Sequence, residues 1–250
     1  MPLTFALGAA LALAAVIGVS LGAFGAGGSI ITLPVLVYVA GIPAHTAISM
    51  SLVIVGATSM FGAYFHYRHG QVFARAVLML GGAGMAGAFV GSSLTHLVSE
   101  NTLMLAFAAL MIGSGAAMLR NKADANLLPQ CSPPRCISIG AAVGVMTGFL
   151  GVGGGFLIVP ALIIFGGLAP KTAVGSSLAI IGLNSAAGFL GHLRYGEINW
   201  LVTAAFLVLA LVGMWIGTKI CSQLSQRTLQ RSFAWFIIAV GVVISGVNLR

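Results

Sequence analysis

The sequence predicts an all-α polytopic membrane protein made of two homologous halves, each carrying a glycine-rich broken-helix segment. Three observations predict it: a nearly uncharged composition, apolar runs of membrane-spanning length, and a self-match at one fixed offset. Hydrophobic residues make up 59% of the 250 and charged residues 6%, whereas a soluble domain carries about 25% charged residues. A chain so poor in charge cannot cover a globule with water-facing groups. Glycine, at 35 residues, is about double its usual share of about 7%. Small residues let helices approach closely where lipid gives no hydrophobic drive for association.

The duplication is gap-free: Gly22 to Leu119 lies over Gly148 to Ser245 at an offset of 126. GAFGAGGSIITLP, from Gly22, matches GFLGVGGGFLIVP, from Gly148. Thr46, Ala47, Ser51 and Leu52 fall on Thr172, Ala173, Ser177 and Leu178, and HYRHGQV at 66–72 falls on HLRYGEI at 192–198. Gly87 and Gly91 fall on Gly213 and Gly217. Residues 1–120 therefore read as a first transmembrane repeat, 121–136 (NKADANLLPQCSPPRC) as a polar linker and 137–250 as a second repeat.

Along the chain, the N-terminal run at 4–23 has no Lys or Arg ahead of it and reads as a retained first helix rather than a cleaved signal. A short run follows at 29–42, then longer ones at 45–66, 73–97 and 101–120. The second half repeats the order at 137–150, 155–168, 171–192, 199–222 and 228–248. This gives about eight full-length helices plus two short or re-entrant segments. About 14 helical residues span about 21 Å, short of a hydrocarbon core of about 30 Å. If the short run returns, each half has four crossings and the halves are parallel. If it crosses, each has five and the halves are inverted. Counting Lys and Arg favours inversion, because Arg68, Arg75, Arg120, Lys122, Arg135, Lys171, Lys219, Arg227 and Arg231 then share one side, opposite Arg194 and Arg250.

The formal charge of +8 does not point to nucleic acid, since the basic residues lie in short gaps between apolar runs, as the positive-inside bias requires. The lipid bilayer is the expected partner. Glu100, Asp124 and Glu197 are the only carboxylate side chains, and each sits where an apolar run breaks. A cation carrier would want carboxylates at membrane depth. An embedded enzyme would need an HExxH pair, paired carboxylates or a Ser-His-acid set, and the chain has none of these. The reading is therefore not an enzyme, with no cofactor and no metal site. Cys131 and Cys136 of CSPPRC read as incidental loop cysteines.

Glycine-interrupted segments at corresponding places in two halves point to a transporter's midplane site. Gly25, Gly27, Gly28 and Ser29, with Gly151, Gly153, Gly154 and Gly155, are the first candidates. Unpaired N–H groups at a helix start bind anions, and glycine lets a ligand reach the backbone. Ser51, Ser177, Thr58 and Asn184 lie on the following helices and would complete the coordination, though Ser and Thr also bond their own helix carbonyls. His66 with Arg68, His192 with Arg194, and the equivalent pair His45 and Lys171 are candidates for an anion-attracting vestibule. Interfacial anchoring of helix ends by Arg, His and Tyr is the competing reading.

The duplicated glycine loop with its proline-ended segment, the TAxxxSL pattern (Thr46 to Leu52, Thr172 to Leu178) and HxRxG (His66 to Gly70, His192 to Gly196) resemble the TauE/SafE sulfite exporter family over nearly the whole chain. The resemblance implies a permease, generally of the bacterial cytoplasmic (inner) membrane, for sulfite, sulfonates or related sulfur-containing anions. Alternating access between the two repeats is the expected mechanism, with an anion-selective channel or, less readily, a membrane-embedded enzyme as alternatives.

Overall fold

The computed structural model describes residues 2–26, 28, 31, 32, 35–92, 100–120, 133–150, 155–192 and 198–248. Among these every regular element is helical. In order they are α1 (Pro2–Phe24), a π-helical turn (Val35–Val39), α2 (Ala44–Arg68), α3 (Ala74–Ser92), α4 (Glu100–Arg120), α5 (Pro133–Leu150), α6 (Gly155–Ile164), α7 (Pro170–His192), α8 (Trp200–Gln223) and α9 (Gln226–Asn248).

Local chemistry sets the ends. Pro133 and Pro170 open α5 and α7, where a missing N–H costs nothing because the first turn leaves its donors unpaired. Asn199 caps α8 by accepting from the Val202 N–H at 3.2 Å, and Ser225 accepts from the Thr228 N–H at 3.1 Å at the start of α9. The two short segments end alike. Ala40 N–H donates to Val35 O at 2.9 Å and Ile42 N–H to Leu36 O at 3.0 Å; 126 residues on, Gly166 donates to Ala161 at 3.1 Å and Leu168 to Leu162 at 3.0 Å. Gly41 and Gly167 carry these turns at φ 68° and 63°, a region that disfavours any residue with a Cβ.

Among the described residues, two stretches are long and apolar enough to cross a membrane on length and hydropathy alone: Trp200–Gln223 and Gln226–Gly246, with mean hydropathies of 2.2 and 1.5. Leu11–Phe24, Ala74–Val90, Ala108–Arg120 and Cys136–Met146 are shorter apolar stretches among the described residues. On α2 and α7 the polar residues are turned inward: Thr58, Ser59, Ser176 and Ser177 are all buried, as costly groups in hydrocarbon should be. The outside is apolar instead, with Leu201 84% and Phe89 79% exposed, a surface suited to lipid rather than water.

α2 and α7 pack on each other and feed separate parts of the core, Met50 and Ile54 joining Ile17 and Phe206 in one buried cluster and Leu178 and Ile181 lying in the other. Gly175 lies against His66, Gly182 against Met60 and Gly56 against Ser185, so numbers fall along one helix as they rise along the other. The pair is antiparallel. α4 and α9 are also antiparallel: Gly115 meets Ala234 and Ile238, Gly241 meets Ala108 and Ile112, and Gln230 Nε2 donates to Met118 O at 2.6 Å. α1 runs parallel to α8, with Gly22 against Met214 and Gly217 against Val19. α3 runs parallel to α5, with Gly140 against Leu80 and Gly144 against Gly84. A Cβ on Gly22, Gly140, Gly144 or Gly217 would meet a facing backbone oxygen, so the chain can approach this closely only without one.

Cys136, expected to be an incidental loop thiol, is buried in the first turn of α5 and disulfide-bonded. Cys221, on α8, is a free thiol.

Candidate functional site

Where α1 stops, Gly25 turns the chain at φ 73°. Its carbonyl accepts from the Ser177 hydroxyl of α7 at 3.0 Å, and the same hydroxyl lies 2.8 Å from Val174 O. A Cβ on Gly25 would stand 2.6 Å from that hydroxyl oxygen, so glycine is required both by the backbone angle and by the approach. Two sequence candidates from different halves thus meet. Ser177 is fully buried and its single proton is already divided between carbonyls. Gly28 is helical and buried, and its carbonyl accepts from the Thr32 hydroxyl at 2.7 Å. Gly27, Ser29, Gly151, Gly153 and Gly154 lie outside the described residues, while Gly155 opens α6.

Further along α2, the Thr58 hydroxyl donates back to Ile54 O at 2.5 Å and also lies 3.2 Å from Val55 O. It serves its own helix, as threonine in apolar helices often does. Ser51 is half-buried. The Ser59 hydroxyl and the Asn184 Oδ1 are buried without a partner. They lie near the midpoints of α2 and α7, close in sequence to the Gly56–Ser185 contact. Ser59, with Ser185 at its duplicated position, is a further polar pair that the sequence offers on these helices.

The second concentration of polar groups is a cavity of about 220 Å³ at the end of α2, closed by the following turn and by the last turns of α8. His66 borders it and is 2% exposed. Its Nδ1 lies 2.8 Å from Gln71 Oε1, and its Nε2 has no partner. Across the cavity, the Lys219 ammonium sits 3.6 Å from the centre of the Trp215 ring, a cation–π arrangement that favours the charge. Thr218 and Ser222 complete the polar wall, with hydroxyls donating to Met214 O and Lys219 O, each at 2.7 Å. Lys171 is tied to the rim, its ammonium donating to Ser222 O at 2.8 Å. His69 Nδ1 is held 2.7 Å from Phe65 O.

Of the vestibule candidates, His66 and Lys171 come together here. Arg68 is exposed and lies 5.8 Å from the Tyr64 ring centre, in the interfacial arrangement. His45 is the second residue of α2 and His192 the last of α7, but their side chains, like Arg194 altogether, lie outside the described residues. The sequence marks Lys219 only as a basic helix-end residue, and neither it nor Trp215 and Thr218 stands out as a site residue, because each reads singly as an interface residue. Their spacing of three and four along α8, facing the HxRxG turn, is the signal that could have joined them.

The profile described as Sulfite exporter TauE/SafE matches residues 10–244. The chain belongs to the TauE/SafE family. It is 35% identical over 238 residues to a probable membrane transporter protein of Xylella fastidiosa (strain Temecula1), covering 91% of this chain and 90% of that protein. The probable membrane transporter protein YdhB of Bacillus subtilis (strain 168) is 30% identical over 220 residues, covering 86% of this chain and 90% of its own. Membership of TauE/SafE makes the chain an integral membrane protein and a membrane transporter, consistent with its lipid-suited exterior and inward-turned polar groups.

Proposed function

We propose that this transporter moves a small sulfur-containing oxyanion, with sulfite as the first candidate, across a bacterial inner membrane by alternating access between two inverted repeats. The observation that carries the reading is the antiparallel crossing of α2 and α7, segments that are copies of one another at the 126-residue offset. Equivalent helices that oppose each other are what an inverted duplication requires and what a parallel one forbids. α4 and α9 repeat the relation, and the matching turns at Gly41 and Gly167 support it.

Anion chemistry is favoured by what surrounds the polar groups. The carboxylates Glu100, Asp124 and Glu197 all fall at breaks between apolar runs, so no fixed negative charge opposes an anion at membrane depth. Ser59 supplies an unpartnered hydroxyl near the middle of the crossing pair, able to donate to an anion. Gly25, pinned by Ser177, joins the broken segment of one repeat to the central helix of the other. Rocking one repeat on the other must therefore carry that contact with it or break it.

The test is sulfite counterflow in proteoliposomes, with sulfate, thiosulfate, taurine and chloride as competitors. Saturable exchange competed by one sulfur anion is expected. Flux that does not saturate and shows no counterflow would mark a channel, and absence of exchange for every sulfur anion by folded protein would remove the substrate class.

A further inference from the structure

The geometry points to the cavity between α2 and α8 as a site that binds a small oxyanion together with a proton, the proton on His66 Nε2 and the anion between that ring and the Lys219 ammonium. With the Gln71 amide oxygen placed against the ring, Nδ1–H is the donor, and this leaves Nε2 as a lone pair. That lone pair is unpartnered in a ring that is 2% exposed. It can turn toward an anion as a donor only by taking up a proton.

A charged imidazolium buried so deeply needs an opposite charge beside it. The charged and titratable groups around the ring are His69 on its own turn, Lys171 on α7 and Lys219 on α8. All are basic. Nothing of opposite charge among the described residues meets the proton, so the ligand must supply it. By linkage, each of the two then tightens the other. The proton comes from water at that face or on the ligand's own conjugate acid, which hands it to Nε2 and remains as the paired anion. The cavity, at about 220 Å³, equals the liquid volume of about seven waters at about 30 Å³ each, room for a polyatomic anion and part of its hydration.

The sequence repeat makes this site one-sided. At the 126-residue offset, Gln71 is replaced by Glu197 and Lys219 corresponds to Ser93. The second HxRxG motif therefore carries its own carboxylate and lacks the facing lysine. The basic form of the motif belongs to one half.

This deepens the transport reading and rests on it for how the site is used, though not for whether it binds. The test is calorimetric titration of the full-length chain in detergent with sodium sulfite, run in two buffers of different ionisation heat, which counts protons taken up per sulfite. Wild type is expected to take up close to one proton more than His66→Gln, and His66→Gln to bind at least tenfold more weakly. Lys219→Gln should weaken binding by a similar factor but keep the proton, and Lys219→Arg should restore affinity. Thermal unfolding checks that each variant is folded. Absence of sulfite binding by wild type, or equal proton counts in wild type and His66→Gln, overturns the proposal. Displacement of sulfite by added phosphatidylglycerol would make the cavity a lipid-headgroup site and also overturn it. Wild-type counterflow that both variants keep unchanged would remove the cavity and leave transport standing. Proton-linked binding without counterflow would keep the cavity and remove transport.

Discussion

Ser177 and Thr58 look alike in the sequence, as hydroxyls on equivalent central helices, yet they face different chemistry. The Ser177 hydroxyl reaches across to Gly25 O at 3.0 Å, while the Thr58 hydroxyl serves Ile54 O within its own helix. Ser177→Ala should therefore leave a buried carbonyl short of a donor and cost about 1 kcal/mol, the usual size of an interhelical hydrogen bond in a membrane protein. Thr58→Val keeps the shape and removes only a bond that competes with the helix's own ladder. Thermal unfolding in detergent and initial counterflow rates should both fall for Ser177→Ala and change little for Thr58→Val. Equal losses in the two would mean that the link between Gly25 and α7 has no special part in the cycle.

Helix pairs are where glycine positions separate into two kinds. A Cβ on Gly213 would strike the Ala15 carbonyl and stand 2.9 Å from Val19 N, whereas one on Gly82 meets nothing within 4 Å. Gly213→Ala must push α8 off α1, an overpacking cost of about 1–3 kcal/mol. Gly82→Ala gains helix propensity of up to about 1 kcal/mol at an open surface. Unfolding temperatures should thus move in opposite directions, and a fall for both would refute the close-approach account. Element limits were largely legible from apolar runs: 45–66 became Ala44–Arg68 and 171–192 became Pro170–His192. Runs are set by burial in lipid, which composition reports directly. The facing of elements was not legible, because a glycine that admits a neighbour and one that faces lipid have the same letter.

At the scale of the whole molecule, the same limit governs the site. His66 was readable from its duplicated motif, but its partnership with Lys219 depends on α8 lying beside α2, and no local pattern encodes that. Topology follows from the helix directions. α2 and α7 oppose each other, α1 and α8 run together, and so do α3 and α5. The turn before α2 and the start of α8 then share one membrane face, with the ends of α2 and α8 on the other. Single cysteines at exposed Pro43 and Asn199, in a background cleared of Cys131, Cys136 and Cys221, should react with an impermeant thiol reagent from one side. Cysteines at exposed Gln223 and Arg227 should react only from the opposite side. Parallel repeats with re-entrant short segments put Pro43 and Asn199 on opposite faces, so labelling of that pair from different sides would reject the inverted arrangement, and with it the alternation of one repeat against the other.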